Sequence, residues 1–228
     1  MPRYTIHVDL GDSASQMKKE GWILYAFKAV QSASENGRPT VWYKYGDFLE
    51  GVDVEWEETY GTFIATGQEI PSGKITASTK RGIKLGQKMG VDVNGGVAIT
   101  GDGDDPKAIT VHSDANQLYT TGVDQKMVGG ETATIAAFPL HGHTSVLMQP
   151  LEKVLLTFAT SKVDVGTVKE RAIADGVFID LTEAPKCNLK YRLNQGWDIG
   201  KATNITKVEA NADIVKMLVE KQERRQMA

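Results

Sequence analysis

Residues 138–146 read FPLHGHTSV, and two of the chain's four histidines, His141 and His143, stand one residue apart in it. On a β-strand that spacing puts both imidazoles on one face, about 7 Å apart. Such a pair can give two ligands to Zn²⁺ or to a non-haem metal. Either ring alone titrates near neutrality and suits general acid or base work. A metal needs a third ligand, for which His7, His112 and the carboxylates are candidates, but no HExxH or CxxC fixes one. Pro139 and Gly142 also fit a bend, which would turn the two rings apart and leave plain polar residues at a strand end.

Glu58 is a second candidate. In VDVEWEETY (52–60) the alternation puts Val52, Val54, Trp56, Glu58 and Tyr60 on one face. A carboxylate on an apolar face is costly unless hydrogen-bonded, its pKa is expected to rise, and such groups concentrate in pockets. The alternative is that Glu58 marks the end of the buried part of the strand.

Aromatic residues are the third feature. Trp42, Tyr43, Tyr45, Phe48, Trp56, Tyr60 and Phe63 all fall within 40–63. Alternation sets Trp42 opposite Tyr43 and Tyr45, so one set can be core while the other lines a surface or cleft. An aromatic face beside a polar handle can stack on a sugar or seat a lipid headgroup. Trp42, Tyr43, Tyr45, Trp56 and Tyr60 are therefore the candidate ligand-binding residues.

Other patterns match no motif. GDGDDP (101–106) has carboxylates at alternate positions, but Lys107 stands where an EF-hand loop needs glycine. GQKMGVDVNGG (86–96) lacks the strand–GxGxxG–helix context of a dinucleotide site, and no GxSxG nucleophile elbow occurs. Lys80, Arg81 and Lys84 make the densest interior basic cluster, which reads as a solvated loop or, alternatively, an anion site. The residues name no cofactor.

The elements that must position these residues are short and β-like. Runs such as YTIHVDL, VWYKY, GTFIAT, AITVHS, ATIAAF and KVLLTFA are punctuated by glycine and Asn/Asp turns. That spacing predicts a mainly β fold, an antiparallel sandwich or flattened barrel. WILYAF (22–27) reads as a strand buried on both faces or as a short helix end. Helices are predicted at SASQMKKE (13–20), capped by Ser13, and for a turn within 162–175. A third is predicted at about 211–226, where Asn211 caps and Ile214, Val215, Leu218 and Val219 share a side. No linker divides the chain, so residues 1–228 read as one domain.

Composition sets the outer bounds. The 228 residues are 41% hydrophobic and 24% charged, enough for a sizeable core. A net charge of −3 gives no expectation of nucleic-acid binding. The single cysteine, Cys187, cannot form an internal disulfide, and no apolar run approaches membrane-spanning length. A soluble, cytoplasmic protein is expected, with homo-oligomers through a free edge strand as an option. The stretch TYGTFIATGQEIPSGKITAST, with the aromatic first third, resembles fungal β-sandwich proteins of the aegerolysin and incompatibility-induced type in texture. The chain is longer than those proteins, and no residue role is carried over from them.

Two functions follow as expectations. One is a lectin-like or lipid-binding module that engages a glycan, a lipid headgroup or a small amphipathic ligand through the aromatic cluster. The alternative is a small-molecule enzyme with an apolar pocket, cofactor-free or metal-dependent, using Glu58, His141 or His143.

Overall fold

The computed structural model describes residues 3–34, 36–67, 70–103, 105–130 and 132–222. Along the chain run β1 (Arg3–Asp9), α1 (Ser13–Glu20), β2 (Ile23–Ser32), β3 (Arg38–Pro39), β4 (Tyr43–Tyr45), β5 (Gly51–Thr66) and β6 (Thr79–Ile83). They are followed by β7 (Gln87–Val91), β8 (Val97–Asp102), β9 (Ile109–Ser113), β10 (Tyr119–Met127), β11 (Thr132–Leu140) and β12 (Ser145–Ala159). The last elements are β13 (Gly176–Asp180), β14 (Lys186–Arg192), β15 (Gly196–Asp198), β16 (Ile205–Val208), α2 (Val215–Leu218) and β17 (Val219–Lys221).

The strands form two curled sheets packed as a sandwich. One has the order β15-β14-β1-β5-β10-β11-β3, with β6 also on β5. The other runs β16-β13-β12-β9-β7-β8, with β2 on β12 and both β4 and β17 on β2. Each sheet is built on one long strand that changes partners midway. The first half of β5 pairs with β1, from Asp9↔Gly51 to Arg3↔Glu57, and its second half with β6, from Tyr60↔Ile83 to Ile64↔Thr79. On β12, Ser145–Met148 pair with β9 and Lys153–Thr157 with β13. The β12–β2 register shifts between Pro150 and Val154, which bends β12 at the changeover. Pairing is mixed rather than purely antiparallel: β1–β14, β7–β9 and β2–β17 are parallel.

Burial on β2 explains its apolar run. Leu24, Ala26 and Val30 face the core between the sheets, while Tyr25, Phe27 and Ala29 face a second cluster with Ala172, Ile214 and Leu218. The C-terminal segment therefore covers the outside of β2. In the same way Phe63 and Ala65 of β5 lie under Ile75 and Val168 on the outside of the other sheet. A strand covered on both faces has no solvent side to hold polar residues, so its sequence loses alternation.

Only the first predicted helix keeps its expected length. α1 spans 13–20 as expected, but its N-cap position is Asp12 with no side-chain cap, and Ser13 Oγ instead accepts a bond from Leu193 N. The segment 162–175 holds turns and bridges, with no helix; Val168 bridges Thr40 and Arg171 bridges Asp213. In place of a helix over 211–226, α2 is one turn, and Val219–Lys221 then join β2 as a parallel strand at Val30–Ser32. A short helix in water is marginal, and the open edge of β2 gives this segment hydrogen bonds a helix end would lack. Asn211 has φ 63 and is a turn residue, not the cap. Arg224, Arg225 and the rest of 223–228 lie outside the described residues.

Gly122 on β10 is where the first sheet packs most tightly. A methyl group there would strike the Ala136 carbonyl oxygen and come within 2.7 Å of the Phe63 ring. Gly122→Ala is expected to cost about 1–3 kcal/mol or more through overpacking, read from urea unfolding midpoints.

Candidate functional site

The core between the sheets contains a charge. Lys28 lies on the same side of β2 as Leu24, Ala26 and Val30, and it is 0% exposed. Its ammonium donates to Glu152 Oε2 at 2.8 Å, and Trp56 Nε1, from the opposite sheet, donates to the same oxygen at 2.7 Å. Glu152 sits in the bend of β12, where the ladder to β2 is interrupted. The ammonium also lies 5.0 Å from the Trp56 ring centroid and 5.6 Å from that of Trp42. Trp42 and Trp56 meet edge to face at 5.4 Å, and Tyr4 stacks on Trp56 at 5.5 Å. The charge is thus neutralised by one carboxylate and cushioned by two indole faces. Burial pulls the Lys28 pKa down to about 8, against the opposing pull of Glu152.

This arrangement decides the fate of most aromatic candidates. Trp56 and Tyr60 use their ring faces within the core, and Trp42, 1% exposed, donates Nε1 to the Gln125 carbonyl. Burial beside Glu152, Glu58 and Tyr4 pushes the Tyr60 phenol far up, and burial likewise takes Tyr4 up to about 12. Glu58 is half-buried at the rim of this cluster, where it accepts a 3.4 Å bond from the Tyr4 hydroxyl. It does not end the buried part of the strand, because Tyr60, Thr62 and Ile64 beyond it are buried. Tyr43 and Tyr45 are half-buried and stack on each other at 6.4 Å, with Tyr45 also against Phe48.

Trp42 and Tyr43 also form one wall of a cleft of about 330 Å³. The wall continues through Ile75, Met127 and Val165, and the floor includes Thr132 and Thr134 of β11. Three lysines surround it: Lys44, Lys74 and Lys80. Lys80 reaches Asp124 Oδ2 at 2.8 Å, and Thr134 Oγ1 donates to Asp124 Oδ1 at 2.6 Å. Asp124 is almost fully buried, at the β10–β11 bulge. Lys44 pairs with Asp164 at 2.8 Å, and this bond holds the Asp164 carboxyl below its usual range. The Lys74 charge adds to this pull on Asp164, and its backbone bridges Thr167.

The histidines do not share a strand face. Leu140 ends β11 and Ser145 begins β12, so residues 141–144 form the turn between them. His143 has φ 57, a left-handed conformation that aims its ring at Asn116 Oδ1, 2.7 Å away. His141 lines another cavity, beside Pro139 and Arg38. No group of three or more His, Cys, Asp or Glu is arranged to hold a metal among the described residues. Neither Glu58 nor His143 lines that cavity or the cleft, so the three proposed acid–base groups are not gathered round one space. Asp102 ends β8, and Asp104 lies outside the described residues. Cys187 is free and half-buried, its thiol pushed up by burial.

Sequence reasoning missed Lys28, Glu152, Lys44 and Lys74. Lys28 carried a signal: a lysine inside WILYAFKAV, in step with Leu24, Ala26 and Val30, must face a core and find an anion. No comparable signal marks Glu152, because its role depends on a bend in β12.

Two predictions follow from the buried pair. Lys28→Met should destabilise the fold by about 3–5 kcal/mol in urea unfolding, because it strands the Glu152 carboxylate. The double variant Lys28→Met/Glu152→Gln should recover part of that loss, since Gln keeps an acceptor for Trp56 Nε1. The second concerns pH. Between about 8 and the usual lysine value near 10.4 the unfolded chain keeps a proton that native Lys28 has released, so stability rises with pH. Above about 10 the unfolded tyrosines ionise while native Tyr4, Tyr43 and Tyr60 stay neutral, so stability falls. Melting temperatures from pH 7 to 11 should show both limbs, and Lys28→Met should lack the rising one.

Compared with known proteins, the chain matches no family model, no curated protein and no solved structure.

Proposed function

We propose that the chain is a binding protein for a small amphipathic anion, held in the cleft between Trp42–Lys44, the Lys74–Ile75 segment and the β10–β11 turn. The observation that carries this reading is the composition of the cleft. An apolar wall of Trp42, Tyr43, Ile75, Met127 and Val165 stands beside three ammonium groups. A ligand with an apolar body and a carboxylate, sulfate or phosphate head meets both. Lys80 already holds Asp124, and Lys44 and Lys74 share Asp164, so three ammonium groups face two carboxylates and one positive charge is left for a bound anion.

The geometry favours this ligand class over a glycan or a lipid headgroup. Trp42 and Trp56 are buried, which leaves no broad aromatic platform for a sugar ring. Among the described residues the large exposed apolar side chains are Leu49, Val93 and Val128, few for a surface that inserts into lipid. Among the described residues no helix is long and apolar enough to cross a membrane. The lone free thiol is compatible with a reducing compartment such as the cytoplasm.

The test uses 1-anilinonaphthalene-8-sulfonate and its uncharged parent, N-phenyl-1-naphthylamine, as fluorescent probes. Lys44→Ala/Lys74→Ala leaves the Lys80–Asp124 pair intact. It should weaken sulfonate binding about tenfold and hardly change the neutral probe. Tyr43→Ala should weaken both. Sulfonate affinity unchanged in both variants would overturn the reading.

A further inference from the structure

Three cavities on the side carrying β3 join end to end. The first, about 500 Å³, lies between the end of β2 and the α2–β17 segment. It shares Asn36 and Arg38 with the second, about 410 Å³, beside Pro139 and His141. The second shares Ser72, Val168 and Glu170 with the third, about 650 Å³, along residues 161–173. Shared walls make them one extended groove rather than three separate sites.

The charge on this groove is opposite to that of the molecule. Among the described residues it is lined by Arg38, Lys162, Lys169, Arg171, Lys216 and Lys221, against one carboxylate, Glu170. Glu170 accepts from Arg38 Nε at 2.6 Å, so that carboxylate is already engaged. No side-chain hydrogen bond or ion pair is found for Lys162, Lys169 or Lys216 among the described residues; Lys169 donates only its backbone N–H, to the Pro39 carbonyl. Yet the chain as a whole carries −3. A row of cations concentrated on one groove of an acidic protein creates a local positive potential that attracts a polyanion and orients it along the row.

We propose that this groove binds a linear anionic polysaccharide, sulfated or carboxylated, laid from the β17 end to the segment at 161–173. Its form selects a single flexible chain over a flat surface or a globular partner. Its lining selects against single-stranded nucleic acid, which proteins hold by stacking bases on aromatic side chains. No Trp, Tyr or Phe lines the groove among the described residues; its apolar lining is aliphatic, with Pro71, Leu118, Val168 and Val219. Repeating anions without bases fit spaced cations over an aliphatic floor. The groove shares no lining residue with the cleft at Trp42, so the two sites can be tested separately.

The experiment is binding of the full chain to immobilised heparin, with single-stranded oligothymidylate and neutral dextran as comparators. The wild type should bind heparin with an affinity that falls steeply as salt rises, and should ignore dextran. Lys162→Glu/Lys169→Glu/Lys216→Glu should weaken heparin binding at least tenfold with the melting temperature unchanged. Should that variant not fold, Lys162→Ala/Lys216→Ala carries the test, with a smaller loss expected. Lys44→Ala/Lys74→Ala should leave heparin affinity within about twofold. Heparin binding that is absent, or unaffected by the groove variants, overturns the proposal. So does tighter binding of oligothymidylate than of heparin, which would make the groove a nucleic-acid site.

Discussion

The structure depends on one buried ion pair. The Lys28 ammonium from one sheet, the Glu152 carboxylate from the bend of a neighbouring strand and the Trp56 indole from the opposite sheet converge within hydrogen-bonding distance. An apolar core would hold two sheets together but would tolerate sliding between them. A charge at its centre does not, because any slip would leave lysine or carboxylate buried alone, at a cost of several kcal/mol. The pair therefore acts as a registration mark between the sheets, while the surrounding aliphatic contacts supply the cohesion. The two indoles matter because their faces add favourable electrostatics to those that Glu152 and, more weakly, Glu58 give the ammonium.

The bend in β12 is what brings Glu152 to that position. A regular strand would continue its ladder with β2 through residues 151–153, and the carboxylate would compete with backbone hydrogen bonding. The interrupted register frees the segment. It also marks the point where β12 exchanges β9 for β13, as β5 exchanges β1 for β6. Long strands with divided partnerships let both sheets curl without opening a gap at the centre. They also leave outer faces that must be covered by other chain segments, and residues 70–78, 161–175 and 212–218 do this.

Those covering segments form the surfaces where ligands can be held. They are not strands, so their side chains follow no alternation, and lysines and arginines collect along their seams. The cleft at Trp42 and the groove along 161–173 both arise where a covering segment meets the sheet beneath it. The acidic surplus of the chain lies elsewhere, for instance along the outer face of β5, where Asp53, Glu55 and Glu57 alternate with the buried residues. Opposite charge on different faces explains how a protein of net charge −3 can present two cation-lined recesses.

The sequence by itself determined the class of fold. Short alternating runs with glycine turns are sufficient for a β-sandwich, since a strand with one apolar face must bury it against another sheet. It also placed α1 at 13–20, and it allowed for WILYAF either a strand buried on both faces or a helix end, of which the structure has the first. It did not determine the length of the C-terminal helix, because Val219–Lys221 has a better partner in the edge of β2 than in its own backbone. Nor did it settle the candidate residues. The HGH pair reads equally as strand or turn until the ends of β11 and β12 are known. The aromatic residues read equally as core or surface until the opposite sheet is in place. Alternation says which side chains share a face, but only tertiary structure says what that face meets. For Trp42 and Trp56 it meets Lys28, a residue 14 and 28 positions away in sequence. Long-range apposition of this kind leaves no local pattern, which is why the fold was legible and the site was not.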